Sequence, residues 1–346
     1  MHDDFTVPVE YAQPIVEHLR SIGVGAGDWP LNGGVSEARL AEPGGVLSYA
    51  EFRQLVLDAI AAAREPALGL FVGARLVAST HGVVGAAAVS ASTVRQALDI
   101  VEQFSQLRSS LITIALEPGT LEARLVFSEV LPLGDIQRPL FEAVVLSIKN
   151  ILDDITRGAA EVLEVAFPFE EPGYAALARD LFGCRVRYGQ GWAGFSAPPE
   201  VLDLPVRLAD PAAFEEAERI CQRELDRISA HQSMEARVRR LLLENQNGFP
   251  SLSVTARLLH MTPRTLHRRL VDEGTSYREL LESVRHTLAI QHVRSGRFSM
   301  EEIAYRLGYS DLANFRRAFK RWEGVSPSTF RARQRAQQPA SAKHRG

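Results

Sequence analysis

Ile303-Ala304-Tyr305-Arg306-Leu307-Gly308-Tyr309-Ser310-Asp311-Leu312-Ala313-Asn314-Phe315-Arg316-Arg317-Ala318-Phe319 is the stretch on which the reading turns. A small residue, Ala304, stands three before an apolar one, Leu307. A short turn follows, and then two aromatics four apart, Phe315 and Phe319. Apolar residues four apart lie on one face of a helix, so Phe315 and Phe319 face a core. The arginines between them face outward.

The same pattern occurs once more, upstream. In Val254-Thr255-Ala256-Arg257-Leu258-Leu259-His260-Met261-Thr262-Pro263-Arg264-Thr265-Leu266-His267-Arg268-Arg269-Leu270, Ala256 stands three before Leu259 and the buried pair is Leu266/Leu270. Thr262 and Ser310 are expected to cap the second helix of each copy, with Pro263 and Asp311 at its first position. This is the layout of a helix-turn-helix, whose second helix buries one stripe and projects the other into the major groove. The outward residues, Arg264, Thr265, His267 and Arg268 in the first copy and Ala313, Asn314, Arg316 and Arg317 in the second, are the candidates for reading bases. Arginine binds guanine O6 and N7 in bidentate fashion. Thr262, Arg269, Ser310, Lys320 and Arg321 suit phosphate contacts.

Between the copies, Ser276-Tyr277-Arg278-Glu279 opens a helix whose apolar positions run to about Ser295, with Gly296 as its stop. Some nineteen residues at 1.5 Å each span roughly 28 Å. Successive major-groove faces lie about 34 Å apart, so such a helix suits one chain reading two neighbouring grooves. Ser299-Met300-Glu301-Glu302 is a further capping box, at the start of the second copy.

Charge supports a nucleic-acid partner. The net charge is −3, but residues 235–346 carry 21 Lys+Arg against 10 Asp+Glu, leaving residues 1–234 strongly acidic. A basic block on an acidic chain is an electrostatic footprint for DNA. With 346 residues and 46% apolar content, the chain suits two domains of an ordinary globular protein. Its two cysteines, Cys184 and Cys221, make no disulfide framework. The acidic start lacks the look of a signal peptide, and no apolar run suffices to span a bilayer. A cytoplasmic protein without membrane insertion is expected.

Residues 8–234 read as mixed helix and strand. Helices are expected over Tyr11–Ile22, Ser48–Ala63 behind a Ser48/Glu51 capping box, Ser92–Leu107, Asp135–Arg157 and Gly173–Phe182. A last one starts at Asp210-Pro211 and runs to about Ile228. A hairpin is expected from Leu111–Leu116 and Leu121–Phe127 around Glu117-Pro118-Gly119-Thr120, with strands at Val162–Phe169, Arg185–Tyr188 and Gly194–Ser196. The polar segment Ser229–Ser233 marks the boundary, and a disordered tail is expected over residues 336–346. The expected architecture is therefore an α+β domain (1–229) followed by an all-α domain (230–335) with two helix-turn-helix units joined by a long helix.

Residues 235–333 resemble the DNA-binding domain of the AraC/XylS family of bacterial transcription regulators. The likeness rests on both copies, the connecting helix and the ending Gly324-Val325-Ser326-Pro327-Ser328-Thr329-Phe330-Arg331. The first copy departs from the family in carrying His260-Met261 where a glycine and an aromatic are common. The preceding region is similar to the arabinose-binding-type regulatory domain of one branch of that family, through Val165-Ala166-Phe167-Pro168-Phe169, Leu181-Phe182-Gly183-Cys184-Arg185-Val186-Arg187-Tyr188 and Leu204-Pro205. The resemblance implies a transcription activator that binds double-stranded DNA, senses a small-molecule effector, works with RNA polymerase and self-associates as a homodimer.

No enzymatic constellation competes. Gly23-Val24-Gly25-Ala26-Gly27 follows no clear strand, and there is no phosphate-binding loop or nucleophile elbow. His286 and His292, six apart, do not share a face as metal ligands, and Cys184 is expected to be a small structural residue. No cofactor or metal is expected. Tyr188, Trp192 and Phe195 with Trp29, Phe71 and Phe104 are either an effector pocket or plain core. An enzyme tethered to DNA, or a pure dimerisation module, are the other readings of residues 1–229.

Overall fold

The computed structural model describes residues 5–24, 35, 37–40, 42, 44–130, 132–231, 233–244, 248–295 and 298–337. The chain divides into two compact units, Met1–Ile228 and Ser229–Gly346.

The first unit opens with β1 (Thr6–Pro8), α1 (Gln13–Ser21), α2 (Glu37–Leu40), β2 (Val46–Ser48), α3 (Tyr49–Ala63), α4 (Leu68–Gly73), α5 (Gly82–Ser90) and α6 (Val94–Phe104). It continues with β3 (Ile112–Glu117), β4 (Ala123–Glu129), α7 (Gln137–Thr156), β5 (Glu164–Ala166), α8 (Ala175–Phe182), β6 (Arg185–Arg187), β7 (Ala193–Ala197) and α9 (Pro211–His231). The sequence expectations do not include the β1/β2 pair or the helices α2, α4 and α5. The β strands are three residues each, too short for a period to show, and α5 is apolar all round.

Five strands form one sheet in the order β3-β4-β7-β5-β6. Neighbours are antiparallel except β5 and β6, which are parallel across α8. β3 and β4 pair with Ile114 opposite Phe127, and β4 and β7 with Leu125 opposite Phe195. Ile112, Ile114, Leu125 and Phe127 are buried while Thr113 and Ser128 are exposed, the alternation of a sheet with one wet face. The second hairpin strand starts at Ala123 rather than Leu121, whose side chain is 88% exposed in the turn. The strand expected over Val162–Phe169 is only Glu164–Ala166, because Pro168 has no amide to give the ladder.

The Ser48 hydroxyl takes the Glu51 amide at 3.3 Å, and the Glu51 carboxylate takes the Ser48 amide at 2.8 Å. The capping box expected for α3 is thus complete. Helix α4 lies against α7 at backbone distance. A Cβ on Gly69 would fall 2.4 Å from Pro139 O, and one on Gly73 2.6 Å from Ala143 O. Asp210 caps α9 by accepting from the amides of Ala212 and Ala213. That helix continues past Ile228 to His231, so the first part of the expected linker is helical; Ser229, Ala230 and His231 contain nothing that stops a helix.

The second unit is helical throughout its described residues: α10 (Met234–Glu244), α11 (Leu252–Leu258), α12 (Pro263–Asp272), α13 (Tyr277–Ser295), α14 (Met300–Arg306), α15 (Leu312–Glu323) and α16 (Pro327–Gln337). The last helix runs two residues into the expected tail; residues 338–346, and Gly296 with its expected stop, lie outside the described residues. Leu280, Val284, Leu288 and Val293 of α13 are buried, and α13 packs against α10, α14, α15 and α16. No helix among the described residues is long and apolar enough to cross a membrane.

Candidate nucleic-acid interface and the cavity of the first unit

Ser251 caps α11 by accepting from the Val254 amide, and Thr262 caps α12 by accepting from the Thr265 amide at 3.1 Å. Pro263 follows at the first helical position, where its missing amide costs nothing. In the second copy the cap is Asp311, not Ser310: Asp311 Oδ1 accepts from the Asn314 amide at 2.7 Å. The extra residue of the second copy lies in the turn, so Asp311 matches Thr262 and Leu312 matches Pro263. A carboxylate at a helix N-terminus also meets the positive end of the dipole, and these bonds hold the Asp311 carboxyl below its usual range. Ser310 instead accepts from the Asn314 side-chain amide at 3.1 Å.

Shifting the turn leaves the two second helices in register. Leu266 and Leu270, and Phe315 and Phe319, are buried, as are the small Ala256 and Ala304 on the preceding helices, which pack against α12 and α15. Phe315 packs edge-on to Phe319, which packs edge-on to Phe330. On the opposite face Arg264, His267, Arg268, Ala313, Arg316 and Arg317 are exposed, with Thr265 and Asn314 half-buried. Thr262, Arg269, Ser310, Lys320 and Arg321 are also exposed, around the rims.

The exposed cations differ in their partners. Arg317 donates to Asn314 Oδ1 at 2.7 Å. Arg321 forms an ion pair with Glu282 of α13. The side chains of Arg264, Arg268, Arg269, Arg316 and Lys320 make no ion pair with any described residue. They are held in place by the helix alone and are open to an outside anion.

The scaffold beneath is braced by two arginines: Arg331, which closes the Gly324–Arg331 ending, and Arg285, which the sequence patterns do not single out. Arg285 of α13 lies between the rings of Phe249 and Tyr309, 5.5 and 5.0 Å from their centroids, and donates to Gly308 O at 3.2 Å. Arg331 of α16 donates to Val293 O and Phe298 O at 3.0 and 2.9 Å. Arg285 ties the connecting helix to the second copy, and Arg331 ties α16 to the end of that helix. Arg285 has no signal in the sequence, standing between Ser283-Val284 and His286-Thr287. His286 contacts Glu323 and the Trp322 ring, and His292 meets the edge of Phe298. No cluster of metal-ligating residues occurs among the described residues.

The first unit contains a partly open cavity of about 120 Å³. None of Phe71, Phe104, Tyr188, Trp192 or Phe195 lines it, and Trp29 lies outside the described residues. Phe71 stacks on His18, Trp192 lies under Arg124, and Phe104 and Phe195 are plain core. The lining comes from aliphatic side chains of α3 to α7, such as Val56, Leu68, Leu98 and Ile148, with Tyr11, His81 and Arg108 among its few polar members. These three come from separate segments without a motif, which is why no spacing rule found them. Cys184 is half-buried and burial pushes its thiol up; Cys221 is buried and pushed up to about 11. Neither is an activated thiolate.

Residues 24–206 match the model of the arabinose-binding domain of AraC transcription regulators, and residues 255–333 match a helix-turn-helix domain model. The chain belongs to the AraC family of transcription regulators. It is 33% identical over 327 residues to the ornithine utilization regulator of Pseudomonas aeruginosa, covering 94% of this chain and 96% of that one. Over 84 residues it is 38% identical to the urease operon transcriptional activator of Escherichia coli, covering 24% of this chain and 28% of the relative. The crystal structure of transcriptional regulator CdpR from Pseudomonas aeruginosa aligns with a TM-score of 0.46 at 27% identity, over 92% of this chain and 97% of that one. The regulator is thus a DNA-binding protein with an N-terminal small-molecule-binding domain, and not an enzyme.

Proposed function

We propose that this regulator is a ligand-responsive activator in which residues 1–229 sense the effector and residues 230–335 read DNA. In this reading α12 reads bases with Arg264, Thr265, His267 and Arg268, and α15 with Ala313, Asn314, Arg316 and Arg317. Thr262, Arg269, Ser310, Lys320 and Arg321 hold phosphates. The observation that carries the reading is the pair of capped helices, each with a buried apolar pair on one face and exposed cations on the other. One nineteen-residue helix, α13, is packed in the core of the same unit.

Activation is supported by the name of the urease relative, which matches over 84 residues of this chain. RNA polymerase and a second copy of the chain enter as partners through the family resemblance, and the cytoplasm as the place where bacterial DNA is met. A reporter under the regulated promoter tests the sign: it falls on deletion of the gene if the protein activates, and rises if it represses. Sedimentation of the full chain with and without operator tests the dimer.

A further inference from the structure

The cavity of the first unit has one polar end, and the hydrogens there have a fixed direction. Ser147 Oγ donates to Leu76 O at 3.3 Å, so its other contact, His81 Nε2 at 2.9 Å, is one in which the hydroxyl oxygen accepts. His81 therefore carries its proton on Nε2, and its Nδ1 accepts from the Tyr11 hydroxyl 2.8 Å away. Burial holds His81 near 4, which keeps the ring neutral and leaves Nδ1 its lone pair. The chain Tyr11, His81, Ser147, Leu76 O thus spends every hydrogen it has. Tyr11 has only its oxygen left, and Arg108 lies over that ring at 5.3 Å from the centroid.

Arg108 is the charged group of this end. One of its terminal nitrogens donates to Thr80 O at 3.0 Å, while Nε is buried without a hydrogen-bond partner. No carboxylate among the described residues forms an ion pair with it, and neither aspartate nor glutamate lines the cavity. Arg108 is half-buried, with Nε out of water, and the planar fork of a guanidinium suits a carboxylate. Beyond Ser105 and Ser109, the other walls are apolar, chiefly aliphatic with Phe52. An engineered cavity of about 150 Å³ with such walls holds benzene, so about 120 Å³ admits a hydrocarbon body of similar size.

We infer that this cavity is the effector site and takes a compact apolar monocarboxylate, with its carboxylate on Arg108 and its hydrocarbon body among Leu68, Val84, Leu98 and Ile148. The inference rests on the reading of residues 1–229 as the sensing domain. It assigns specificity as well as place. Arg108 provides donors for an anion, and no acidic lining residue pairs with an ammonium, so zwitterions and amines are rejected by an unpaired charge.

The test is calorimetric titration of the full chain with cyclohexanecarboxylate and hexanoate, against cyclohexylmethanol and norleucine as neutral and zwitterionic counterparts. The acids are expected to bind at least about tenfold tighter than the alcohol, the scale of one charge-assisted pair. Arg108→Gln removes that preference. Ala97→Leu, which fills the space and leaves Arg108 in place, abolishes binding of the acids. Equal binding of acid and alcohol, tighter binding of norleucine, or acid binding that survives Ala97→Leu would each overturn the assignment. Should Arg108→Gln fail to fold, the acid-to-alcohol ratio and Ala97→Leu still decide. A compound that shifts DNA affinity equally in the wild type and in Ala97→Leu overturns the cavity while sparing the effector reading. If none of the probes binds, and no compound of a broad panel shifts DNA affinity, both fall.

Discussion

Arg317 and Asn314 are joined side chain to side chain on the outward face of α15, the guanidinium donating to Asn314 Oδ1 at 2.7 Å. Asn314 in turn donates through its amide nitrogen to Ser310 Oγ at 3.1 Å and to Asp311 Oδ2 at 2.6 Å. The helix cap therefore orients the asparagine, and the asparagine orients the arginine. Preorganisation of this kind lowers the entropy spent on binding a base. Arg317→Ala is expected to cost about 1–3 kcal/mol in operator affinity and to relax selectivity at one base pair. Asn314→Ala should reproduce part of that relaxation although Arg317 is intact. Competition binding against single-base operator variants measures both; unchanged selectivity in Arg317→Ala would remove the residue from base reading.

Lys320 lies one residue past the buried Phe319, exposed, at the rim of the same helix. Lys320→Ala should weaken all duplex sequences alike and reduce the slope of log affinity against log salt by about one. Titrations at several salt concentrations with operator and random DNA check it. A loss confined to operator would mark Lys320 as a base reader.

His260 occupies the left-handed region at φ 54°, the place that Gly308 fills in the second copy at φ 70°. A side chain there is strained by roughly 1–2 kcal/mol, partly offset because glycine frees the unfolded chain. His260→Gly is thus expected to stabilise the second unit by about 1 kcal/mol. Gly308→Ala has the opposite sign, since its Cβ would also stand 3.0 Å from Arg285 Nη2. Thermal melts of the two variants decide this.

Glu142 and His81 give the first unit opposite responses to pH. Burial raises Glu142 to about 8, against the lowering influence of the Tyr174 hydroxyl and Arg138. The folded chain then binds more protons than the unfolded one between about pH 4.5 and 8, so this stability is greatest below that window and is lost as pH rises through it. Burial and Arg108 lower His81 to about 4, so its contribution is present above about pH 6.5 and is lost as pH falls toward 4. Glu142→Gln, which can still accept from Tyr174, should gain on the wild type steadily from pH 5 to 8 and level off above. Denaturant midpoints across that range test it; a constant difference would show that the carboxyl does not titrate there.

The second unit was the more legible of the two, for a physical reason. Its helices bury one stripe each, so Leu266/Leu270 and Phe315/Phe319 announce themselves by spacing, and Thr262 and Ser299 by their caps. The shift from Ser310 to Asp311 was not legible, because either residue caps a helix and only the length of the turn decides between them. In the first unit the hairpin and the long helix α7 showed their periods. The cavity did not, since Tyr11, His81 and Arg108 meet only through the fold, and the aromatic residues mark core rings instead. Helices α4 and α5 were missed because apolar residues surround them on all sides, which erases the stripe.

In the proposed reading one chain reads DNA with two helices, α12 and α15. Selection of binding sites by the full chain from random duplexes tests it most directly, repeated with Arg268→Ala and Arg317→Ala. A bipartite site is expected, its halves about one helical turn, 10–10.5 base pairs, apart. Each substitution should then erase information from a different half. A single compact motif that neither substitution alters would contradict it.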